Sequence, residues 1–135
     1  MKSAAAESPL RDAHRDLTRS RIVEAALALL RAGGDAALTF AAVADRAGMT
    51  ERTVYRYFET RETLLAATWV RVNEVAQTPK LPSTPEELVS QPLTAFPGFD
   101  AEETLMRAMV HSGEGRQMRL ASNPQRVAGI RAAVR

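Results

Sequence analysis

Apolar residues spaced three and four positions apart govern the first half of the chain. From Thr18 they recur on one helical face at Ile22, Val23, Ala26, Leu27, Leu29 and Leu30, which is the period of an amphipathic α-helix. Gly33 and Gly34 follow directly, and glycine readily takes the left-handed conformation that ends a helix. No segment of the sequence alternates apolar and polar residues with the period of two that a strand needs. The sequence therefore predicts an all-α fold.

Three threonines divide the following residues into further helices. A threonine at the start of an apolar run accepts a hydrogen bond from the first helical N–H groups, and Thr39, Thr50 and Thr60 stand in that position. Gly48 separates the first two of these predicted helices. The third of these predicted helices is longer than the other two.

Proline and charge set the remaining residues apart. Five of the seven prolines lie between positions 79 and 97, and a proline inside a helix removes a hydrogen bond and clashes with the preceding turn. We therefore expect a short helix from Glu86 to about Ser90, another capped by Asp100, and a last one beginning at Asn123-Pro124. Residues 79–103 carry one basic and five acidic groups, whereas residues 104–135 carry six basic groups and one acidic group.

Composition excludes several kinds of chemistry. The chain has no cysteine, which rules out a disulfide, a thiolate metal site and a cysteine nucleophile. Its two histidines, His14 and His111, lack partners at metal-ligand spacing, and Ser112 and Glu114 are too close to His111 in sequence for a catalytic triad. We expect no enzymatic activity, no metal and no cofactor. Since no apolar run approaches ~20 residues and no signal-peptide core is present, we expect a cytoplasmic protein without membrane contact.

The segment from Thr39 to Leu65, TFAAVADRAGMTERTVYRYFETRETLL, carries the clearest functional signal. Two short helices meet at a tight turn around Gly48, and Ala44 is small enough to let them approach closely. This is the geometry of a helix-turn-helix, whose second helix enters a DNA major groove. The outward face of that helix carries several hydrogen-bonding side chains, namely Glu51, Arg52, Thr53, Tyr55 and Arg56. Arginine suits guanine and phosphate, and 16 of the 18 basic residues are arginine, although codon bias also accounts for that count.

In its order of residues this segment resembles the DNA-binding domain of TetR-family transcriptional regulators. The resemblance rests on Thr53-Val54-Tyr55-Arg56-Tyr57-Phe58, followed by Arg61 and Leu64-Leu65, with matching runs at residues 22–26 and 43–48. It covers roughly residues 17 to 76. Ala41 stands where some members of the family carry a base-reading arginine, so base contacts from the preceding helix are not expected.

The resemblance implies DNA-contacting roles for eight residues. They are phosphate-contacting caps at Thr39 and Thr50, base readers at Glu51, Arg52 and Thr53, phosphate-binding tyrosines at Tyr55 and Tyr57, and a basic residue at Arg61. Alternative interpretations treat the tyrosines as packed aromatic residues with solvated hydroxyls and Arg52 and Arg56 as a solvated face.

These features divide the chain into four segments. They are a flexible N-terminal arm at residues 1–16, the helix-turn-helix domain at 17–60, a linking helix at 61–78, and a partial ligand-binding and dimerisation domain at 79–135. The arginines near the arm either reach a minor groove or form a solvated tail. The resemblance implies candidate contacts for a small-molecule effector at Trp69 in the linking helix and at Phe99, Met106 and Met109 in the second domain, with ordinary core packing as the alternative.

The resemblance further implies how such a chain acts. It describes a repressor that binds a palindromic operator in double-stranded DNA as a homodimer and is released by a small-molecule effector. Because members of the family are longer, we expect the second domain to be truncated after Arg135. A different hypothesis makes the chain a helical protein-interaction module whose basic C-terminal segment binds an acidic partner.

Overall fold

The computed structural model describes the backbone of residues 2–135 and the side chains from Pro9 onward. Its helices are α1 (Lys2–Gly33), α2 (Phe40–Ala47), α3 (Glu51–Tyr57), α4 (Arg61–Val75), α5 (Pro85–Ala101), α6 (Glu103–His111) and α7 (Gly113–Ala133). A 3-10 turn at Asp35–Ala37 connects α1 to α2. The described residues include no strand, and the predicted all-α fold is confirmed.

One hydrophobic core joins helices from both halves of the chain. The C-terminal part of α1 packs against α2, α4 and α6. The large side chains at its centre are fully buried and come from five helices and the α1–α2 connection: Ile22, Leu30, Leu38, Val43, Val54, Leu64, Leu65, Val72, Leu105 and Met109. Since α6 contributes to the same core, the second half of the chain is packed directly onto the first four helices.

The predicted helix starts around α2, α3 and α4 are confirmed. The side chains of Thr39, Thr50 and Thr60 each accept a hydrogen bond from the N–H group three residues later, at 3.1–3.2 Å. Gly48 ends α2 with φ 70° and ψ 39°, values in the left-handed region that glycine adopts without steric cost. Each of these features depends on a few neighbouring residues, which is why the sequence alone specifies them.

α1 extends further toward the N-terminus than the sequence predicts. The prediction places a flexible arm at residues 1–16, whereas residues 2–16 continue α1; residue 1 lies outside the described residues. Every described side chain from Pro9 to Leu17 is exposed, so this stretch has no buried face that would give a helical period. Residues 2–16 contain four alanines and two arginines, which favour helix, and extending an existing helix requires no new nucleus. Whether this stretch is flexible stays a prediction.

Prolines lie inside α5 and α7, where the sequence predicts interruptions. α5 continues through Pro92 and Pro97, and α7, which already begins at Gly113, continues through Pro124. All three prolines are exposed, so the carbonyl groups that lose an N–H partner are open to hydration. As a result Asp100, predicted to cap a helix, lies within α5.

Candidate nucleic-acid interface

A short turn holds α2 and α3 in a fixed relation. The Met49 N–H donates back to the Ala44 carbonyl at 3.0 Å. From α1, the Nη2 of Arg21 donates to the Ala47 carbonyl at 2.7 Å. The last carbonyl of α2 thus has a hydrogen-bond partner, which a helix end requires. Through this bond α1 stabilises the turn between α2 and α3.

α3 is anchored on one side and open on the other. Val54 is fully buried, and the ring of Phe58, which ends the helix, lies under the Arg19 guanidinium at 5.1 Å from its centroid. On the opposite side Glu51 and Arg52 are exposed, and neither forms a hydrogen bond or ion pair with the described residues. Polar side chains that are free on a rigid helix can read base edges without first breaking internal bonds.

Thr53, the third predicted base reader, is less free. It is half-buried, and its hydroxyl lies 3.0 Å from that of Thr50. Its backbone N–H donates to the same Thr50 oxygen at 3.2 Å. Thr50 and Thr53 therefore form one hydrogen-bonded pair at the start of α3, and a DNA group would meet them together.

The two predicted tyrosines differ in their surroundings. Tyr55 stacks on Phe40, the first residue of α2, with ring centroids 4.2 Å apart and an interplanar angle of 6°. It is 46% exposed, and its hydroxyl has no hydrogen-bond partner among the described residues. Tyr57 is half-buried and packs against the core. The stack thus fixes the ring of Tyr55 while its hydroxyl is free, whereas Tyr57 takes the position of a packed aromatic residue.

Arg61 does not face outward as the predicted phosphate contact would. Its Nε donates to Glu114 Oε1 at 3.0 Å, and its Nη2 donates to the carbonyl and the carboxylate of Asp35 at 3.1 and 2.5 Å. Its Nη1 donates to the Leu38 carbonyl. The side chain is 32% exposed, and four of its five N–H groups are used inside the protein. This placement differs from the prediction because its partners are brought near only by the tertiary fold.

The four residues predicted to contact an effector differ in their surroundings. Met109 is fully buried, Trp69 and Met106 pack against the core, and Phe99 lies edge-to-face with Phe96 at 6.5 Å between centroids. These positions are those of packed residues, which is the alternative that the sequence left open.

A groove of about 760 Å³ lies instead between α4 and α7. Its lining includes Glu62 and Thr63 from α4, with Glu114, Gln117 and Met118 from α7. None of the four predicted effector contacts lines it. It mixes carboxylate, hydroxyl, amide and apolar groups, and it borders the Arg61–Glu114 ion pair.

Two residues that shape the interface, Asp35 and Phe40, were not singled out as functional from the sequence, and Arg21 was considered only as a minor-groove or solvated-tail arginine. The contacts of Arg21 with Ala47 and of Asp35 with Arg61 each join residues 26 positions apart, which no helical period reveals. Phe40 offered a usable signal, because an aromatic residue follows the cap of α2 and another lies on the helix that packs against it.

Within the part of the chain that is described, no three histidine, aspartate or glutamate side chains gather as a metal site. None of the described helices combines the length and apolarity of a membrane span.

Comparison with known proteins gives one match. Residues 22–68 match the family model described as bacterial regulatory proteins, tetR family. The matched region runs from the buried part of α1 into α4 and contains all eight predicted DNA contacts. No curated protein and no solved structure matches the chain.

Proposed function

We propose that this chain is a regulator of the tetR family, whose model matches residues 22–68, and that it represses transcription by placing α3 in the major groove of an operator. The observation that carries the proposal is the open face of α3, where Glu51 and Arg52 are unpaired among the described residues. A guanidinium matches O6 and N7 of guanine, and a carboxylate accepts from N4 of cytosine. These two side chains are the proposed base readers, and the regulator acts in the cytoplasm, where the operator is accessible.

Phosphate contacts flank this face. The Tyr55 hydroxyl is free to donate, and the caps Thr39 and Thr50 are exposed at the starts of α2 and α3. Arg46 and Arg56 are also exposed, with no ion pair to the described residues. Such contacts fix the register of a reader on the duplex and carry the salt-dependent part of its affinity.

We propose that two copies bind a palindromic operator, with their α3 helices in major grooves about 34–36 Å apart. Support for pairing comes from an apolar repeat, in which Leu120 and Val127 on α7 and Val134 directly after it recur every seven residues and are 56%, 40% and 66% exposed. A seven-residue apolar repeat is typical of helices that pair, and monomeric proteins rarely leave a large apolar surface open.

Charge supports the same pairing. α5 exposes an apolar stripe of its own at Val89, Leu93 and Phe96, together with the exposed acidic residues Glu86 and Asp100. The exposed arginines on α7 and in the two residues after it that form no ion pair with the described residues are Arg116, Arg126, Arg131 and Arg135. A two-fold arrangement that sets α5 of one copy against α7 of the other therefore covers both stripes and joins opposite charges.

Release by a small molecule completes the proposal. α4 follows the reader directly and forms one wall of the groove that it shares with α7. A ligand that prefers one orientation of α4 over another shifts the population between DNA-competent and DNA-incompetent spacings of the two readers. The groove between α4 and α7 is the proposed place for that ligand.

The central experiment measures binding of the purified chain to duplex DNA from upstream of its own gene, by fluorescence anisotropy over a range of salt concentrations. We expect specific binding that weakens steeply with salt, and a palindromic site when random duplexes are selected for binding. Absence of binding to any duplex at about 50 mM salt would instead favour the protein-interaction module.

Val127→Glu tests the pairing surface, with Gln125→Glu as the matched control on the other side of α7, because Gln125 is also exposed. Val127→Glu should shift the chain toward monomer in analytical ultracentrifugation and weaken binding to the palindrome more than to a half-site. If the two variants have the same oligomeric state, Val127 is not part of the interface between the copies.

A further inference from the structure

The guanidinium of Arg61 joins three parts of the chain. Arg61 is the first residue of α4. It donates to Asp35 in the 3-10 turn that follows α1 and to the carbonyl of Leu38, which lies one residue before the cap of α2. On its other side it donates to Glu114 in the first turn of α7. One side chain therefore connects the segment that leads into α2 with the first turn of α7.

The α7 end of this connection is held firmly. The buried hydroxyl of Ser112 accepts the Gly115 N–H at 2.9 Å and caps α7. Gly115 approaches the Met109 carbonyl so closely that a Cβ on it would lie 1.7 Å from that oxygen. Since Met109 is fully buried in the core, the position of Glu114 follows that of the α6–α7 junction.

The α2 end is equally defined. Leu38 is buried, and its carbonyl is bonded to Arg61. The next residue, Thr39, accepts the Ala42 N–H on its side chain and the Val43 N–H on its carbonyl. A change in the guanidinium position therefore acts directly on the segment that sets the start of α2.

We propose that Arg61 is a positioning residue for DNA binding, which transmits the placement of α7, through Glu114, to the start of α2. The proposal rests on the proposed DNA-binding function. Charge-assisted hydrogen bonds are stronger than neutral ones, and with four N–H groups engaged Arg61 has little left for a phosphate. DNA affinity then responds to a carboxylate on α7 that is no part of the α2–α3 face.

The test compares Glu114→Gln with Glu103→Gln. Both changes remove one carboxylate that pairs with an arginine, but Glu103 is exposed and its partner, Arg107, lies within the same helix, α6. Glu114→Gln should raise the operator Kd about five- to tenfold, and Glu103→Gln should leave it within about twofold. Asp35→Asn should combine non-additively with Glu114→Gln in the logarithm of Kd, because both act through one guanidinium.

Salt dependence separates this role from a phosphate contact. Arg61→Gln should weaken binding while the slope of log K against log salt stays unchanged, whereas loss of a phosphate contact flattens that slope by about 0.9. A flattened slope, together with equal Kd values for the two glutamate variants, would overturn the proposal.

Hydrogen exchange provides a readout that needs no DNA. Glu114→Gln should speed amide exchange at Ala42 and Val43, and Glu103→Gln should not. If the wild-type chain binds no duplex, the proposed function fails, but the exchange rates of the two variants still show whether Glu114 and the start of α2 are coupled. Unchanged exchange in Glu114→Gln would refute the link even if the wild-type chain binds DNA.

Discussion

Replacing Phe40 by leucine removes the ring on which Tyr55 rests and keeps most of the apolar volume beside it. In the structure these two rings lie nearly parallel with centroids 4.2 Å apart, and they join the first turn of α2 to the middle of α3. The leucine variant should therefore loosen the orientation of Tyr55 without emptying a core site, since Phe40 is only half-buried.

The size of the effect follows from the contact. An aromatic pair contributes about 0.5–1.5 kcal/mol beyond its buried area, so a double-mutant cycle of Phe40→Leu and Tyr55→Leu should give a coupling free energy of unfolding in that range. If the stack holds the Tyr55 hydroxyl toward a phosphate, DNA binding by Phe40→Leu should weaken by a similar free energy, or about two- to tenfold in Kd.

Tyr55→Phe is the matched control, because it keeps the stack and removes only the hydroxyl. The free energy of unfolding should be unchanged, since that hydroxyl has no partner among the described residues, while loss of a hydrogen bond to a charged phosphate should cost about 1.5–3 kcal/mol of binding. Chemical denaturation and fluorescence anisotropy measure the two quantities. A coupling free energy near zero would show that the stack does not position the tyrosine. The same conclusion would follow if Phe40→Leu bound DNA with full affinity while Tyr55→Phe bound it more weakly.

Three further changes test other parts of the structure. Arg52→Ala should relax base preference at one operator position and cost about 1–3 kcal/mol; equal losses on specific and random duplexes would contradict base reading. Gly98→Ala sets a Cβ 2.0 Å from a backbone carbonyl oxygen at the end of α4 and should lower the free energy of unfolding by about 1–3 kcal/mol or more. Gly113→Ala is the control, because a Cβ there meets nothing within 4 Å. Equal melting temperatures for these two variants would refute the close approach at Gly98. The backbone N–H and hydroxyl of Ser83 hold the pKa of Glu87 below its ordinary value of 4.5, so the stabilisation from its carboxylate is present at neutral pH and lost as pH falls through the lowered pKa. The melting temperature of the wild-type chain should therefore exceed that of Glu87→Gln at neutral pH, and the difference should shrink in acid. A difference independent of pH would contradict that reasoning.

The parts of the structure that the sequence predicts correctly depend on neighbouring residues. A threonine bonded to the N–H three positions later, and a glycine in the left-handed region at the end of α2, are determined within one helical turn. The direction in which Glu51 and Arg52 point follows from the same periodicity once Val54 is assigned to the core. Fold class and most of the candidate base-reading face were therefore predictable.

The features that the sequence does not predict depend on long-range contacts or on exposure. Arg61 and Glu114 are 53 residues apart, and only the packing of α7 beside α4 makes them partners. Pro92 and Pro124 are tolerated inside helices because they lie on exposed faces, a fact that is known only when the fold is known. The effector contacts at Trp69, Phe99, Met106 and Met109 stay a prediction, since an apolar residue in the core and one beside a groove look alike in sequence.

The difference between arginines that are paired within the protein and arginines that are exposed explains how a chain with a net charge of only +2 can serve as a DNA reader. Arg31, Arg61 and Arg71 form ion pairs with carboxylates within the protein, so they add little to the charge that a duplex meets. The exposed arginines of α2 and α3 without an ion pair to the described residues are Arg46, Arg52 and Arg56. If these three make the charged contacts in each of two copies, the slope of log K against log salt is about −5. A slope near −10 would mean that charges outside α2 and α3, such as those on the exposed start of α1, contact the duplex as well.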